Sequence, residues 1–431
     1  MDLLQEARNT INQIDEQMAD LFVQRMQAVQ KVAQYKKEHN LPILDAKREE
    51  AILQKGAQRV KEEHLQDYYL DFMKDTMAIS RQYQQSLLNE GNENTILVPL
   101  NPSYRITVLR GALKNAGAYM DLNRKVLIVT DSGVPSQYAA TVAGCCKMPV
   151  IVTIPQGESS KHLENFRLLC QTMLEHAFTR TDCVVAVGGG VVGDLAGFAA
   201  ASFMRGIDFY NIPTTVLSQV DSSVGGKVAI DLDNIKNCVG AFHQPKAVLI
   251  DPEVLQTLPK RQISNGLAEA VKMAVTFDES LLSLFETEDP LINIDNIIIA
   301  ALRIKAAVVK ADEKEAGLRR VLNFGHTIGH GIETAAGLHQ LYHGECVALG
   351  MLPMCSDALR PRVQAILETL GLPTTCQVDA DDVWQAMSHD KKRSGDTITV
   401  VYAETAGSFQ LRSVPLESLK ETVYNFLQKK V

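Results

Sequence analysis

Four histidines lie between positions 326 and 343, although the chain has only 10 among its 431 residues: His326, His330, His339 and His343. The first two are four positions apart, so on a helix their imidazoles share one face. A zinc-protease helix would carry Glu directly after the first His, but this chain has Thr327, which excludes that class. The alternative is a set of surface or capping residues. We favour a metal site because four histidines fall together.

A carboxylate stands on an apolar helical stretch before the histidines, in Gly266-Leu267-Ala268-Glu269. A carboxylate on a buried face needs a partner. One Glu and two His from separate helices suit a catalytic Zn²⁺-type site with open positions for substrate. Lys272 follows Glu269 by one turn and shares its helix face.

A glycine-rich loop, Gly188 to Asp194, follows an apolar run and opens an apolar helix from Leu195 to Phe203. Glycines let the backbone approach a pyrophosphate, and the helix N-terminus supplies unpaired N–H groups. The alternative is a tight strand-to-helix turn, but this context favours dinucleotide binding. Asp131 ends an earlier strand, where its carboxylate suits either ribose hydroxyls or an ordinary turn.

Cationic residues recur around these motifs. For any one of them, a solvated surface side chain is the simpler interpretation. Together with a metal site and a nucleotide loop, they favour a pocket for a phosphorylated small molecule, with or without a carboxylate. The set is Lys227, Lys236, Lys272, Lys305, Arg319, Arg320, Lys391, Lys392 and Arg393.

Short apolar runs alternate with helical stretches through the middle of the chain. The runs 125–131, 150–154 and 183–187 are rich in Val and Ile, and a helical pattern spans Lys161 to Ala177. This alternation predicts βαβ units and a parallel sheet. From about Glu253 the helical period dominates until residues 397–401. We therefore predict a Rossmann-like α/β domain over 97–252 and a mainly helical domain over 253–431.

The first 88 residues differ from the rest. Apolar residues recur at helical spacing to about His39, Asp45 suits an N-cap, and a third helix is predicted from Leu65 to Leu88. Three helices give a small core, which favours an intertwined dimer. The polar stretch 89–96 is the predicted linker.

The composition limits the function classes. The net charge of -8 argues against a general nucleic-acid surface, although a local basic pocket remains compatible with it. The eight cysteines are scattered, which favours a reducing compartment. The acidic start, Met1 to Glu6, lacks the apolar core of a signal peptide, and no apolar run is long enough to span a membrane. We expect a cytoplasmic protein.

Residues from about 97 to 430 resemble the 3-dehydroquinate synthase family. Six motifs match in order: Gly188–Asp194, 213–215 (Pro-Thr-Thr), Asp221–Lys227, Gly266–Lys272, Gly317–His326 and 343–345 (His-Gly-Glu). The chain departs from the family pattern at two places. Gly133 stands where the family often has Asn, and the sequence from Val228 to Ile235 differs from the commoner family sequence.

The resemblance implies roles for individual residues. The implied metal ligands are Glu269, His326 and His343, with Zn²⁺ or Co²⁺ as the metal. The residues implied to bind NAD are Asp131, Glu158, Lys161, Gly190, Val191, Val192, Gly193, Asp194, Thr214, Thr215, Lys227, Lys236, Val254, Leu255, Gln256 and Thr257. The residues implied to hold substrate are Asp221, Lys227, Asn237, Lys272, Lys305, Arg319, Asn323, His330 and Lys391 or Lys392. Arg205 resembles an arginine that reaches into a neighbouring subunit's site, which implies a homodimer or a higher homo-oligomer.

The implied reaction converts 3-deoxy-arabino-heptulosonate 7-phosphate into 3-dehydroquinate and phosphate. It passes through transient oxidation by NAD, phosphate elimination, reduction and aldol closure. Arg319 and Asn323 suit the substrate carboxylate, which relatives acting on sedoheptulose 7-phosphate do not need to bind. The alternative is a metal-dependent polyol dehydrogenase of the glycerol dehydrogenase type, which shares the glycine loop and the helical metal domain.

Residues 1–88 resemble the all-helical chorismate mutase family. The matching polar residues occur in order: Arg8, Arg25, Lys36, Asp45, Arg48, Glu49, Ser80 and Gln84. In that family cations bind the two carboxylates and the ether oxygen of chorismate, and Arg8 would come from the partner subunit. The resemblance implies conversion of chorismate to prephenate and a bifunctional shikimate-pathway enzyme. A non-catalytic regulatory or dimerisation module is the alternative.

Overall fold

The structure, a computed structural model, describes residues 3–39, 45–89, 94–233, 235–337, 340–388 and 397–428. The chain forms two compact units, Met1–Thr95 and Ile96–Val431. Of the predicted linker 89–96, positions 90–93 lie outside the described residues. Asn89 ends the last helix of the first unit, and Thr95 begins the first strand.

The first unit consists of three helices, as predicted: α1 (Leu3–Glu38), α2 (Ala46–Ala57) and α3 (Glu63–Asn89). Asp45 caps α2, because its side chain accepts a hydrogen bond from the backbone N–H of Arg48 at 3.1 Å. Helix α3 packs against both α1 and α2.

The apolar stripe of α1 remains largely exposed within this unit. Ala33 and Met77 are the buried apolar residues of the unit's described part. The exposed apolar side chains of α1 are Leu3, Leu4, Ile11, Ile14, Met18, Leu21, Phe22, Val23, Val32 and Tyr35. Exposed apolar surface of this extent is typical of an interaction face.

The second unit begins with a sheet and its covering helices. Its strands are β1 (Thr95–Val98), β2 (Tyr104–Val108), β3 (Lys125–Asp131), β4 (Met148–Ile154), β5 (Cys183–Gly188), β6 (Asp208–Pro213), β7 (Lys227–Leu232), β8 (Ile235–Phe242), β9 (Ala247–Ile250), β10 (Thr397–Tyr402) and β11 (Gln410–Pro415). Its helices are α4 (Ser136–Ala143), α5 (Leu163–Glu175), α6 (Gly190–Ser202), α7 (Lys260–Phe277), α8 (Glu279–Thr287), α9 (Ile294–Ala311), α10 (His326–Ala336), α11 (His343–Met351), α12 (Arg360–Thr369), α13 (Ala380–Ser388) and α14 (Leu416–Leu427).

Seven strands form one sheet in the order β1-β2-β9-β6-β5-β3-β4. The pairs from β2 to β4 are parallel, as predicted. Strands β3 and β5 are buried on both faces, which explains their uninterrupted apolar runs. The carboxyl ends of parallel strands share one edge, so Asp131, Gly188 and Pro213 end at the same side of the sheet.

The rest of the unit is mainly helical, which confirms the predicted fold class. Helix α7 packs against α11, and α11 against α10. The antiparallel hairpin β7–β8 was not predicted. None of the described helices combines the length and apolar character needed to cross a membrane.

Candidate active site and metal centre

Three helices bring Glu269, His326 and His343 together. Oε1 of Glu269, on α7, lies 3.5 Å from Nε2 of His326 and 3.5 Å from Nε2 of His343, which begin α10 and α11. Ligands about 2.1 Å from a tetrahedral metal ion lie about 3.4 Å from each other. The spacing of these three atoms therefore fits a divalent metal ion.

The Glu269 carboxylate is suited to a cation. It is 1% exposed, and neither oxygen accepts a well-directed hydrogen bond from a described residue. Burial alone would raise its pKa, but Lys272, His326 and His343 hold the pKa of Glu269 well below its usual value. Burial lowers the pKa of His326 well below its usual value, so this ring is neutral, as a metal ligand must be.

His330 joins the same cluster. The ligating atoms of His326, His330 and His343 all lie within 4.8 Å of one another. His330 is the exposed member of the three. His339 lies outside the described residues.

Two glycines allow the metal-binding helices to approach closely. A Cβ at Gly344 would collide with the backbone carbonyl of Asn265 on α7, and the N–H of Gly344 donates to Oδ1 of Asn265 at 2.6 Å. A Cβ at Gly350 would collide with the carbonyl of Gly325, just before α10. The sequence thereby fixes α11 against both neighbours.

Two buried lysines flank the cluster. Nζ of Lys272 pairs with Oε2 of Glu269. Nζ of Lys305, on α9, lies 2.7 Å from Oδ1 of Asp221 and 2.5 Å from its backbone oxygen. Burial lowers the pKa of Lys305 to about 8, against the opposing effect of Asp221.

Lys227 and Asn323 meet at Glu315, which the sequence analysis did not single out. Nζ of Lys227 pairs with one oxygen of Glu315, and Nδ2 of Asn323 donates to the other at 3.0 Å. Burial would raise the pKa of Glu315, but Lys227 and Asn323 lower it. Two predicted substrate residues thus bind a carboxylate of the chain itself.

Arg319 lies behind the loop that precedes β7. Arg319 is 3% exposed, and its guanidinium donates to the carbonyl of Glu313 at 2.5 Å and to that of Gly225 at 3.1 Å. These bonds use two of its five donors. Arg319 therefore holds the Gly225–Lys227 loop and retains further donors.

Glu333, on α10, was also missed. Its Oε2 lies 3.2 Å from Nδ1 of His343, and its Oε1 lies 2.7 Å from Nζ of Lys236. Lys236 was predicted to contact NAD. The Glu333 carboxylate lies between Lys236 and the predicted metal ligand His343 and contacts both.

The glycine loop joins β5 to α6 as predicted. A Cβ at Gly190 would meet Oγ of Ser222 at 3.2 Å, and one at Gly189 would meet Cγ2 of Thr215 at 3.1 Å. The backbone N–H of Thr214 donates to Gly188 at 2.9 Å. Gly189 and Gly190, at the start of α6, therefore lie against residues that follow β6, whereas Gly193 lies against Asn211 on β6 itself.

Lys161 forms ion pairs with several acidic residues beside α6. Its buried Nζ lies 2.9 Å from Glu158 and 3.3 Å from Asp194, and it donates to Oδ1 of Asn237 at 2.5 Å. Asp231 is the fourth partner, at 3.9 Å. Burial raises the pKa of Asp194 to about 6, although Lys161 opposes the effect. Asn237, predicted to hold substrate, is therefore placed among the predicted NAD residues.

Asp131 lies at the edge of a cavity of about 360 Å³ lined by residues 130–136 and Thr153. Burial raises the pKa of Asp131, whose Oδ1 accepts the N–H of Gly133 at 2.8 Å. The stretch Val254, Leu255, Gln256 and Thr257 forms a 3₁₀ turn after β9, with its first two side chains buried.

Arg205 lies in the short turn between α6 and β6. Arg205 is exposed in a left-handed conformation, with φ of 71°, directly after Met204 with φ of 49°. Such backbone is costly for residues other than Gly. Lys391 and Lys392 lie outside the described residues.

The helical unit has its own polar cluster. Nη1 of Arg25, on α1, donates to the hydroxyl of Ser80 and to the carbonyl of Thr76 at 3.3 Å, both on α3. Burial lowers the pKa of Arg25. Gln84 is buried one turn after Ser80, and its Oε1 accepts no hydrogen bond from a described residue. Three of the eight predicted mutase residues thus gather between α1 and α3.

Of the other predicted mutase residues, Arg8 and Lys36 are on α1, and Asp45, Arg48 and Glu49 are at the start of α2. Glu49 pairs with Arg81, which the sequence analysis missed, and Oε2 of Glu49 lies 2.5 Å from Nη1 of Arg81. Arg8 and Arg48 are exposed, and Lys36 is half-buried.

The sequence matches three family models. Residues 151–265 match 3-dehydroquinate synthase N-terminal, and residues 266–393 match 3-dehydroquinate synthase C-terminal. Residues 7–85 match chorismate mutase type II. Among relatives, 3-dehydroquinate synthase of Streptococcus suis is 39% identical, covering 76% of this chain and 98% of its own. The enzyme of Enterococcus faecalis is 41% identical, covering 76% and 97%.

Solved structures of two synthases are similar to this chain. A 2-deoxy-scyllo-inosose synthase complexed with carbaglucose-6-phosphate, NAD⁺ and Co²⁺ is 26% identical with a TM-score of 0.69, covering 75% of this chain and 97% of its own. A 2-epi-5-epi-valiolone synthase from Streptomyces hygroscopicus with NAD⁺ and Zn²⁺ bound is 26% identical with a TM-score of 0.69, covering 75% and 96%. A probable glycerol dehydrogenase from Sinorhizobium meliloti, 16% identical with a TM-score of 0.52 and covering 74% and 95%, shares the fold alone.

Proposed function

Because this chain belongs to the 3-dehydroquinate synthase family and carries a chorismate mutase type II domain over residues 7–85, we propose that it catalyses both reactions. The larger unit would convert 3-deoxy-arabino-heptulosonate 7-phosphate into 3-dehydroquinate and phosphate. The observation that carries this proposal is the Glu269–His326–His343 cluster with buried lysines beside it. The non-catalytic and polyol dehydrogenase alternatives are not favoured by these family matches.

We propose that Glu269, His326 and His343 hold a divalent metal ion and that the start of α6 holds NAD. Two similar cyclases were solved with NAD⁺ and with Co²⁺ or Zn²⁺, and the donor set here is of the kind those metals accept. When bound, the metal would polarise substrate hydroxyls and NAD⁺ would accept and return a hydride. The pyrophosphate would lie at the N-terminus of α6, where the first backbone N–H groups have no partner within the helix.

The cationic residues around this cluster would bind an anionic substrate. Lys272 and Lys305 are buried beside the metal cluster, where a positive charge is poorly screened by water. Arg319 retains donors for the substrate carboxylate, with Asn323 on the same 3₁₀ turn. Lys227, Asn237 and His330 would hold the phosphate, which itself would accept the proton lost in the elimination.

The proposed substrate is tested by comparing the conversion of two sugar phosphates, one with a carboxylate and one without. Purified protein with NAD⁺ and Zn²⁺ should convert the heptulosonate phosphate and leave sedoheptulose 7-phosphate, which lacks the carboxylate, essentially unchanged. Arg319→Gln should reduce the preference for the carboxylated substrate. Equal conversion of both sugars would contradict the proposed substrate.

The helical unit would rearrange chorismate to prephenate. This reaction needs a compact substrate conformer and a cation near the breaking C–O bond, with no covalent intermediate. Arg25 and Gln84 lie at the α1–α3 cluster, and Lys36 would complete the positive surroundings. Loss of chorismate absorbance on adding the protein tests the activity.

A second copy of the chain would complete both sites. The exposed apolar stripe of α1 supports a paired helical unit, in which Arg8 would contribute to the partner's site. Exposed Arg205 would likewise reach into a neighbouring cyclase site. Sedimentation of the full chain should show a dimer or a larger assembly.

A further inference from the structure

His343 presents its two ring nitrogens to two different carboxylates. Nε2 lies 3.5 Å from Oε1 of Glu269, on the side of the proposed metal ion. Nδ1 lies 3.2 Å from Oε2 of Glu333. An imidazole that binds a metal through one nitrogen carries its proton on the other, and that proton needs an acceptor. Glu333 lies where this acceptor is needed.

We propose that Glu333 is a positioning residue for the metal centre, which accepts the Nδ1–H of His343 and keeps Nε2 directed at the metal. The inference rests on the proposed metal centre and adds the residue that fixes the orientation and tautomer of one ligand. Acceptors of this kind raise the basicity of a ligating imidazole and restrict its rotation.

Lys236 holds the other oxygen of the same carboxylate. Its Nζ lies 2.7 Å from Oε1 of Glu333, so each oxygen of Glu333 has its own partner. A carboxylate held at both oxygens cannot rotate without breaking an ion pair, and His343 is thereby held too. Since Lys236 is on β8 and Glu333 on α10, the hairpin β7–β8 supports the geometry of the metal-binding helices.

A merely structural role predicts a different result. The side chain of Glu333 is 20% exposed and that of Lys236 is 44% exposed, and ion pairs this open to water contribute little to folding stability. Removing Glu333 should therefore change metal binding far more than thermal unfolding of the metal-free protein.

The test compares metal-free wild type with Glu333→Ala and Glu333→Gln. Zn²⁺ affinity is measured by competition with a chromophoric chelator, and the visible absorption of bound Co²⁺ reports ligand geometry. Glu333→Ala should bind Zn²⁺ about 10- to 100-fold more weakly. Glu333→Gln, which keeps the shape but loses the charge, should bind about tenfold more weakly and shift the Co²⁺ spectrum.

Glu164→Gln is the matched control, because Glu164 pairs with Arg167 at the surface of α5 and should leave both readouts unchanged. Wild-type affinity and spectrum in both Glu333 variants would overturn the inference and leave the metal centre standing. Absence of Zn²⁺ binding by wild type would overturn the metal centre and the inference together. Should Glu333→Ala fail to fold, Glu333→Gln alone decides.

Discussion

Lys305, in its proposed role in substrate binding, should make that binding sensitive to pH. Because burial lowers the pKa of Lys305 to about 8, against the effect of Asp221, its ammonium is charged below pH 8 and loses its proton above. The KM for the heptulosonate phosphate should rise above about pH 8, by up to about tenfold per pH unit.

The profile is checked by measuring KM between about pH 7 and pH 9 for wild type and Lys305→Arg. A guanidinium stays charged over this range, so the variant should give a flatter profile. A wild-type KM that does not change across pH 8, or a variant with the same slope, would argue against a substrate role for Lys305.

Arg25 is the residue on which the mutase assignment depends most. Its part-buried guanidinium bonds to Ser80 and Thr76, and Arg25→Ala would remove the cation from this cluster. The kcat/KM for chorismate should fall by about 100-fold or more, while cyclase activity is retained. Arg59→Ala, at an exposed position, is the control. Unchanged mutase kinetics in Arg25→Ala would refute the proposed site.

Candidate site residues could be predicted from the sequence where residue type and short spacing along the chain marked them. His326 and His330 are one helical turn apart, and the Glu269 carboxylate interrupts an apolar stretch, so type and spacing sufficed. Glu333 could not be found in this way, because its partner Lys236 is 97 residues away. Glu315 likewise pairs with Lys227 across 88 residues. A surface-type Glu gains its role only when the fold brings its partner close.

At the scale of elements, Gly266 sets the position of α7. A Cβ at this position would collide with the backbone N of Leu217 and the side chain of Val216. Ala would gain about 1 kcal/mol of helix propensity, but overpacking against backbone costs about 1–3 kcal/mol or more. Gly266→Ala should therefore lower the free energy of unfolding by about 1–2 kcal/mol and weaken Zn²⁺ binding, because Glu269 moves with α7.

Denaturant unfolding and chelator competition measure the two effects. Gly144→Ala is the control, because a Cβ there would lie 3.4 Å from the carbonyl of Thr141, an ordinary contact, and its φ of -61° suits any residue. A Gly266→Ala protein as stable as wild type would show that the close approach of α7 is not needed.

Strands could be predicted from the sequence where both of their faces are buried. Strands β3 and β5 are buried on both faces, so their sequences are continuous apolar runs that identify them. Strand β8 is exposed along nearly all of its length, and it was missed because it has no apolar alternation. It is held by its pairing with β7, and a sequence pattern does not show that pairing.

At the scale of the whole molecule, the exposed stripe of α1 predicts that mutase activity depends on association. The double variant Ile14→Glu/Leu21→Glu places two charges on the stripe. The paired helical units should separate, and mutase kcat/KM should fall more than tenfold, since charges at an apolar interface are costly. Cyclase activity should remain.

Asn9→Glu/Gln27→Glu is the matched control, because these exposed residues face away from the stripe by helical spacing and add the same charge. Sedimentation and chorismate assays on both proteins measure the effect. A stripe variant with full mutase activity would show that one helical unit is sufficient.

In the proposed reaction, the larger unit uses NAD as a recycled oxidant for a metal-dependent cyclisation. The most direct measurement follows phosphate release and absorbance of NADH together, with the heptulosonate phosphate, NAD⁺ and Zn²⁺, before and after adding a chelator. We predict many turnovers of phosphate release with no net NADH, and loss of release once the metal is removed. Steady accumulation of NADH, or phosphate release that persists without metal, would contradict the claim.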